Sequence, residues 1–116
     1  MKKGNRLYVL QIIEHAKLIT EHVEEVDWRD FQADPLLQAA VERWLIIIGE
    51  ASKKLSSEFL EHHSDIPWRQ IRGLRNIVVH EYDSMDISVI YEVVSEHIPS
   101  LLSEMEAVRD TEAYLD

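Results

Sequence analysis

The chain has 116 residues, no cysteine and a formal net charge of −10. That length makes one domain, able to bury about two-thirds of its unfolded surface in one core or in half of a shared one. The lack of cysteine excludes disulfide frameworks, zinc-thiolate sites and thiol redox motifs, and the acidity argues against a general nucleic-acid coat, whose affinity comes from neutralising phosphates.

The first expected helix runs from Asn5 to about Val26, where Val9, Ile12, Ile13, Ala16, Ile19, Val23 and Val26 recur at three- and four-residue steps. The basic start, Met1 to Arg6, is followed by apolar residues broken by Gln11, Glu14 and His15, so no signal-peptide core forms. The acid-rich stretch around Glu24, Glu25, Asp27 and Asp30 reads as a connection, with Trp28 and Phe31 tucked back onto the bundle.

Asp34-Pro35 opens a second helix, since an Asp side chain caps free N–H groups and Pro is pre-shaped for the first turn. Its stripe of Leu37, Ala40, Val41, Trp44, Ile47, Ile48, Ala51, Leu55 and Phe59 predicts one long central helix. Gly49 interrupts it at a cost of about 1 kcal/mol relative to Ala, which suits a tight helix crossing. The longest apolar run, Leu45 to Ile48, falls far short of the roughly 20 residues that cross a bilayer, and the chain is read as soluble and cytoplasmic, with no membrane partner.

A polar break at Glu61 to Asp65 and then Pro67 lead into a third helix through Ile71, Leu74, Ile77 and Val78. After a second polar break, Glu81 to Asp86, a fourth helix carries Ile87, Ile90, Tyr91, Val94, Ile98, Leu101, Leu102, Met105 and Val108 on one side, with Pro99 expected to bend or split it. The acidic tail, 110–116, is expected to fray. No segment shows strand alternation, hairpin turns or an internal repeat. The expected architecture is therefore all-α, an antiparallel bundle of four to five helices forming a single domain over 1–116.

The histidines and acids do not combine into a metal signature: there is no His-Glu-x-x-His and no Glu-x-x-His. Solvated histidines are expected, and no metal or cofactor. The scattered glycines make no phosphate-cradling loop, and there is no Gly-x-Ser-x-Gly elbow.

Charge is unevenly placed. Lys and Arg number 5 against 7 acids in residues 1–40, 6 against 5 in 41–80, and 1 against 10 in 81–116. Between Ile66 and His80 stand Arg69, Arg72 and Arg75 and no acid, so a local anion site can exist on an acidic protein. The segment Arg75-Asn76-Ile77-Val78-Val79-His80-Glu81-Tyr82 adds an amide, an imidazole and a phenol. Arg72, Asn76 and His80 fall at i, i+4 and i+8, a polar ridge with Arg69 one turn earlier, while Ile71, Leu74 and Val78 face the core. Arg75 and His80 lie roughly 140° apart around an ideal helix. Either His80 sits at or beyond the helix end, or a second copy of the segment completes the site across a two-fold axis.

Such a ridge holds the parts for metal-free RNA cleavage. A base takes the ribose 2′-OH proton, the oxygen attacks the adjacent phosphate, and an acid protonates the leaving 5′-oxygen. His80 suits the base or the acid, and Arg75 suits the doubly charged phosphorane. The structural alternative pairs Arg75 with an acid of the second helix, such as Glu50, and has His80 cap a helix C-terminus.

The wider wording, Ile48-Gly49-Glu50-Ala51, Ile66-Pro67-Trp68-Arg69, Ile71-Arg72-Gly73-Leu74-Arg75-Asn76 and His80-Glu81-Tyr82, closely resembles the HEPN superfamily, specifically the HepT-like toxins. The likeness covers about residues 45–102, with its four blocks in order. It implies a helical bundle that dimerises through the motif-bearing helices and cleaves RNA at the shared cleft, as the toxin of a type VII-like toxin–antitoxin system. By position it puts the catalytic arginine on Arg75, its polar neighbour on Asn76, the histidine on His80 and the motif tyrosine on Tyr82; Arg69 and Arg72, from the polar ridge, are the expected substrate-binding cations. It further implies a minimal nucleotidyltransferase antitoxin (MntA-like) that transfers AMP to Tyr82, placing bulk and negative charge beside the substrate phosphate. Against this stands a catalytically silent interaction module that uses the same groove to bind such a partner or a nucleotide, a reading the acidic charge favours.

Overall fold

The computed structural model describes residues 4–76, 78 and 87–111, all of them helical or in short turns. Helix α1 (Asn5–Val23) is followed by α2 (Trp28–Gln32), α3 (Pro35–Lys53), α4 (Ser57–His62) and α5 (Trp68–Arg72). The chain closes with α6 (Ile87–Glu92), a π-helical stretch (Val93–His97) and α7 (Ile98–Thr111). The all-α architecture expected from periodicity is what the chain adopts. Among the described residues no helix is long and apolar enough to cross a membrane.

Helix α1 is the centre of the bundle, packed on α3 along one side and on α7 along another. Its stripe of Val9, Ile12, Ile13, Ala16, Ile19 and Val23 is buried throughout. The second helix was expected to hold that place, so its centrality is corrected. The α3 stripe is also turned slightly: Leu45 is buried, whereas Ile47 is only half-buried.

The long helix expected to run from Asp34 to Phe59 is two helices. Asp34 caps α3 as its sequence predicts, its Oδ1 accepting from the Leu37 N–H at 3.0 Å. The run then stops at Lys53, because Ser56 takes the extended conformation of an N-cap and accepts from the Phe59 N–H at 3.2 Å. The Ser56 N–H, which would have bonded within a continuing helix, donates instead to Asn5 Oδ1 at 2.9 Å, and Asn5 Nδ2 donates to Ser56 Oγ at 3.0 Å. The start of α1 is thereby tied to the point just past the end of α3, and the two helices run antiparallel.

At the other end, Asp27 caps α2 through the Asp30 N–H at 2.8 Å. Phe31 is fully buried, and Tyr91 of α6 packs against both Trp28 and Phe31 while its hydroxyl donates to the Val26 carbonyl at 2.8 Å. In the last rod, Pro99 stands just after the π-helical stretch. Proline cannot donate its N–H and crowds the carbonyl one turn back; the wider turn before it absorbs that clash and keeps Ile90, Val94 and Ile98 on the buried side. The expected bend takes the form of this local widening. The expected fraying beyond 111 lies outside the described residues.

Candidate active site

Helix α5 is short, and side chains on its inner face hold it in place. Trp68 is buried, meets Phe59 edge-on at 6.0 Å and donates its indole N–H to the His63 carbonyl at 3.0 Å. Ile71, Leu74 and Val78 are buried behind it. Arg69 and Arg72 of α5, and Arg75 and Asn76 just beyond it, are all exposed. The exposure of Arg69, Arg72 and Asn76 opposite buried Ile71, Leu74 and Val78 is the division that the residue spacing predicts.

The third helix is nevertheless not continuous. It ends at Arg72, turns at Gly73, whose N–H is shared between the Arg69 and Gln70 carbonyls, and resumes at Leu74 to Asn76. The turn puts a step into the polar ridge between Arg72 and Asn76. Gly49 explains where this segment sits. A Cβ on Gly49 would meet the Ile71 carbonyl oxygen at 3.2 Å and the Arg75 nitrogen at 3.6 Å, so α3 and the arginine-bearing segment cross backbone against backbone. The tight crossing expected from a glycine in mid-helix is present.

That crossing brings Arg75 beside Glu50, one residue along α3. Arg75 Nε lies 4.0 Å from Glu50 Oε1, and Lys53 Nζ lies 3.5 Å from the same oxygen. Both Arg75 and Glu50 are substantially exposed, at 57% and 44% of the side chain, so water screens the pair and the guanidinium keeps donors for an incoming anion. The outer surface of the segment thus presents clustered positive charge. His80 and Tyr82 lie outside the described residues.

Of the described histidines His22, His62 and His97 are exposed, as expected, and two make a bond within their own helix: His15 Nδ1 is 2.7 Å from the Gln11 carbonyl and His22 Nδ1 is 2.8 Å from the Leu18 carbonyl. His62 and His63 sit ring edge to ring face. One acidic group escaped sequence reasoning altogether. Glu104 of α7 is held above the ordinary carboxylate range by desolvation and, secondarily, by the Asp65 carboxylate. Nothing in its local sequence marks it out.

A family model described as "Ribonuclease HepT-like" matches residues 12–108. The chain belongs to the HepT-like ribonuclease family. Its relatives include a Thermococcus cleftensis protein named "Probable ribonuclease HepT", 39% identical over 94% of this chain and 99% of its own length. A Caldanaerobacter subterraneus protein provisionally named as an RNase is 36% identical over 95% of this chain and 98% of its own. A similarly named Methanocaldococcus jannaschii protein is 33% identical over 92% and 98%. No solved structure matches the chain. HepT-like membership extends the likeness beyond the four blocks around the motif to α1 and α7, which build the bundle behind it.

Proposed function

We propose that this HepT-like protein is a metal-independent endoribonuclease, the toxin of a type VII-like toxin–antitoxin pair. The observation that carries the reading is family membership over residues 12–108 joined to an outward face bearing Arg69, Arg72, Arg75 and Asn76. Arg69 and Arg72 hold the RNA backbone. Arg75 donates to the phosphorane oxygens, Asn76 orients the phosphate, and His80 moves the protons to and from the 2′-oxygen and 5′-oxygen. Two copies of the chain supply one His80 for each proton transfer, so the active species is a cytoplasmic homodimer. A nucleotidyltransferase antitoxin silences it by adding AMP to Tyr82.

Arg75→Ala and His80→Ala are each expected to lower RNA cleavage by at least about a hundredfold, with helicity and dimerisation unchanged. Cleavage that survives both changes, or that stops in EDTA, refutes the mechanism. Mass spectrometry after incubation with the antitoxin and ATP should find AMP on Tyr82 and nowhere else. The contact of Arg75 with Glu50 favours a second reading, a silent module that binds a nucleotidyltransferase or a nucleotide through this face. That reading predicts no cleavage by the parent protein at any ionic strength.

A further inference from the structure

Glu92 ends α6, and Glu96 and His97 close the π-helical stretch that follows. On an α-helix Glu92 and Glu96 would share a face, while His97, five residues on from Glu92, would point about 140° away from it. The π-helical turn changes that. Its hydrogen bonds reach back five residues, as the Ile98 N–H does to the Val93 carbonyl, so side chains five apart stand along one side. A carboxylate oxygen from each glutamate and a His97 ring nitrogen accordingly lie within 4.8 Å of one another.

Three atoms no farther apart than that share a point within about 2.8 Å of each, and a movement of about 0.7 Å per donor reaches the roughly 2.0–2.2 Å of zinc–imidazole and zinc–carboxylate bonds. All three side chains are exposed, so they can make that movement and leave room for water. The charges also call for a cation. Two carboxylates one turn apart repel each other, and among the described residues no lysine or arginine forms an ion pair with either. Arg109, the one arginine after residue 80, pairs with Glu106 and Asp110. The imidazole narrows the choice of cation. Magnesium and calcium take oxygen ligands and would leave His97 unused, whereas a first-row transition ion takes imidazole and carboxylate together.

We infer that Glu92, Glu96 and His97 form a binding site for a divalent first-row transition metal such as zinc, with water completing its coordination. None of the three donors lies on the segment that carries Arg69, Arg72 and Arg75. The bound ion clamps the end of α6 to the start of α7 and takes no part in RNA cleavage.

Isothermal titration of zinc chloride into the metal-stripped full-length protein tests this. One ion per chain is expected, with a Kd on the order of 10 μM for so open a site. His97→Ala, Glu92→Gln and Glu96→Gln should each weaken binding at least about tenfold, with an unchanged circular dichroism spectrum because all three side chains are exposed. His62→Ala, which removes an exposed histidine elsewhere, should leave the affinity as it was. Free zinc at tenfold its Kd should raise the melting temperature of the parent by about 6 °C and that of His97→Ala hardly at all. Magnesium should bind at least about a hundredfold more weakly than zinc. Magnesium binding as tight as zinc binding would reduce the cluster to an acidic patch and overturns the inference. Zinc affinity undiminished in His97→Ala or in both glutamate variants, affinity lost in His62→Ala, or no saturable zinc binding up to about 1 mM overturns it equally.

Discussion

Arg75 and Glu50 approach to 4.0 Å at a wet surface, where such a pair contributes about 0–1 kcal/mol. A phosphate offering bidentate acceptors can therefore displace the carboxylate at little cost. Arg72 is exposed on the same segment, and its expected part is to hold the backbone without doing chemistry. Arg72→Ala should weaken RNA binding evenly across sequences and lower the slope of log affinity against log salt by about 0.7, one single-strand phosphate contact, as measured by fluorescence anisotropy. Glu104 yields a prediction of a different kind. Its proton is held more tightly in the folded than in the unfolded chain, because desolvation and then Asp65 raise its pKa above the ordinary 4.5. The folded state therefore loses stability as pH rises from that ordinary value through the raised one. Glu104→Gln, which stays neutral, should melt at a higher temperature than the parent at about pH 7 and at the same temperature near about pH 3.

Among the elements, the crossing of α3 with the arginine-bearing segment positions the site. The contact is made by backbone, with the Ile71 carbonyl 3.2 Å from where a Gly49 Cβ would lie. An alanine there would gain about 1 kcal/mol of helix propensity and lose some of it to crowding. The branched carbons of valine have no such offset. Gly49→Val should destabilise the fold by about 1–3 kcal/mol, as overpacking does. It should also displace Arg75 enough to depress RNA cleavage more than thermal stability alone accounts for. Comparing activity and unfolding midpoint in the same preparations checks this. The glycine was a readable signal, since it stands in mid-helix on a stripe that buries everything around it. The halt of α3 was not readable: Leu55 and Phe59 continue the apolar period across it, and the residue that satisfies the Ser56 N–H is Asn5, 51 positions away.

At the scale of the whole molecule, charge and the proposed pairing of two copies bear on how the site would work. The net charge of −10, with 10 acids against 1 base after residue 80, would repel RNA at a distance, and the acid-free run of Arg69, Arg72 and Arg75 is where the proposed site would attract it. Association should therefore be slow at low ionic strength compared with a basic nuclease. The proposed two-copy site would add a dependence on protein concentration. Specific activity should fall steeply on dilution below the dimer dissociation constant, and a covalently linked dimer should hold its activity under the same dilution. Equal specific activity across the dissociation range, measured alongside analytical ultracentrifugation, would place the whole site within one chain.

Local patterns in the sequence settled the helical class, the buried stripe of α1, the Asp34 cap, and the split between inward Ile71, Leu74 and Val78 and outward Arg69, Arg72 and Asn76. Helical period and capping act within a few residues, so their traces survive in one dimension. Tertiary contact decided the rest: α1 and not α3 as the centre, the halt at Ser56, the turn at Gly73, and the packing that leaves Glu104 Oε2 without a donor among the described residues. Each of these depends on which surfaces face one another across the bundle. Contacts between distant residues carry no period along the chain, and only the packed core brings them together.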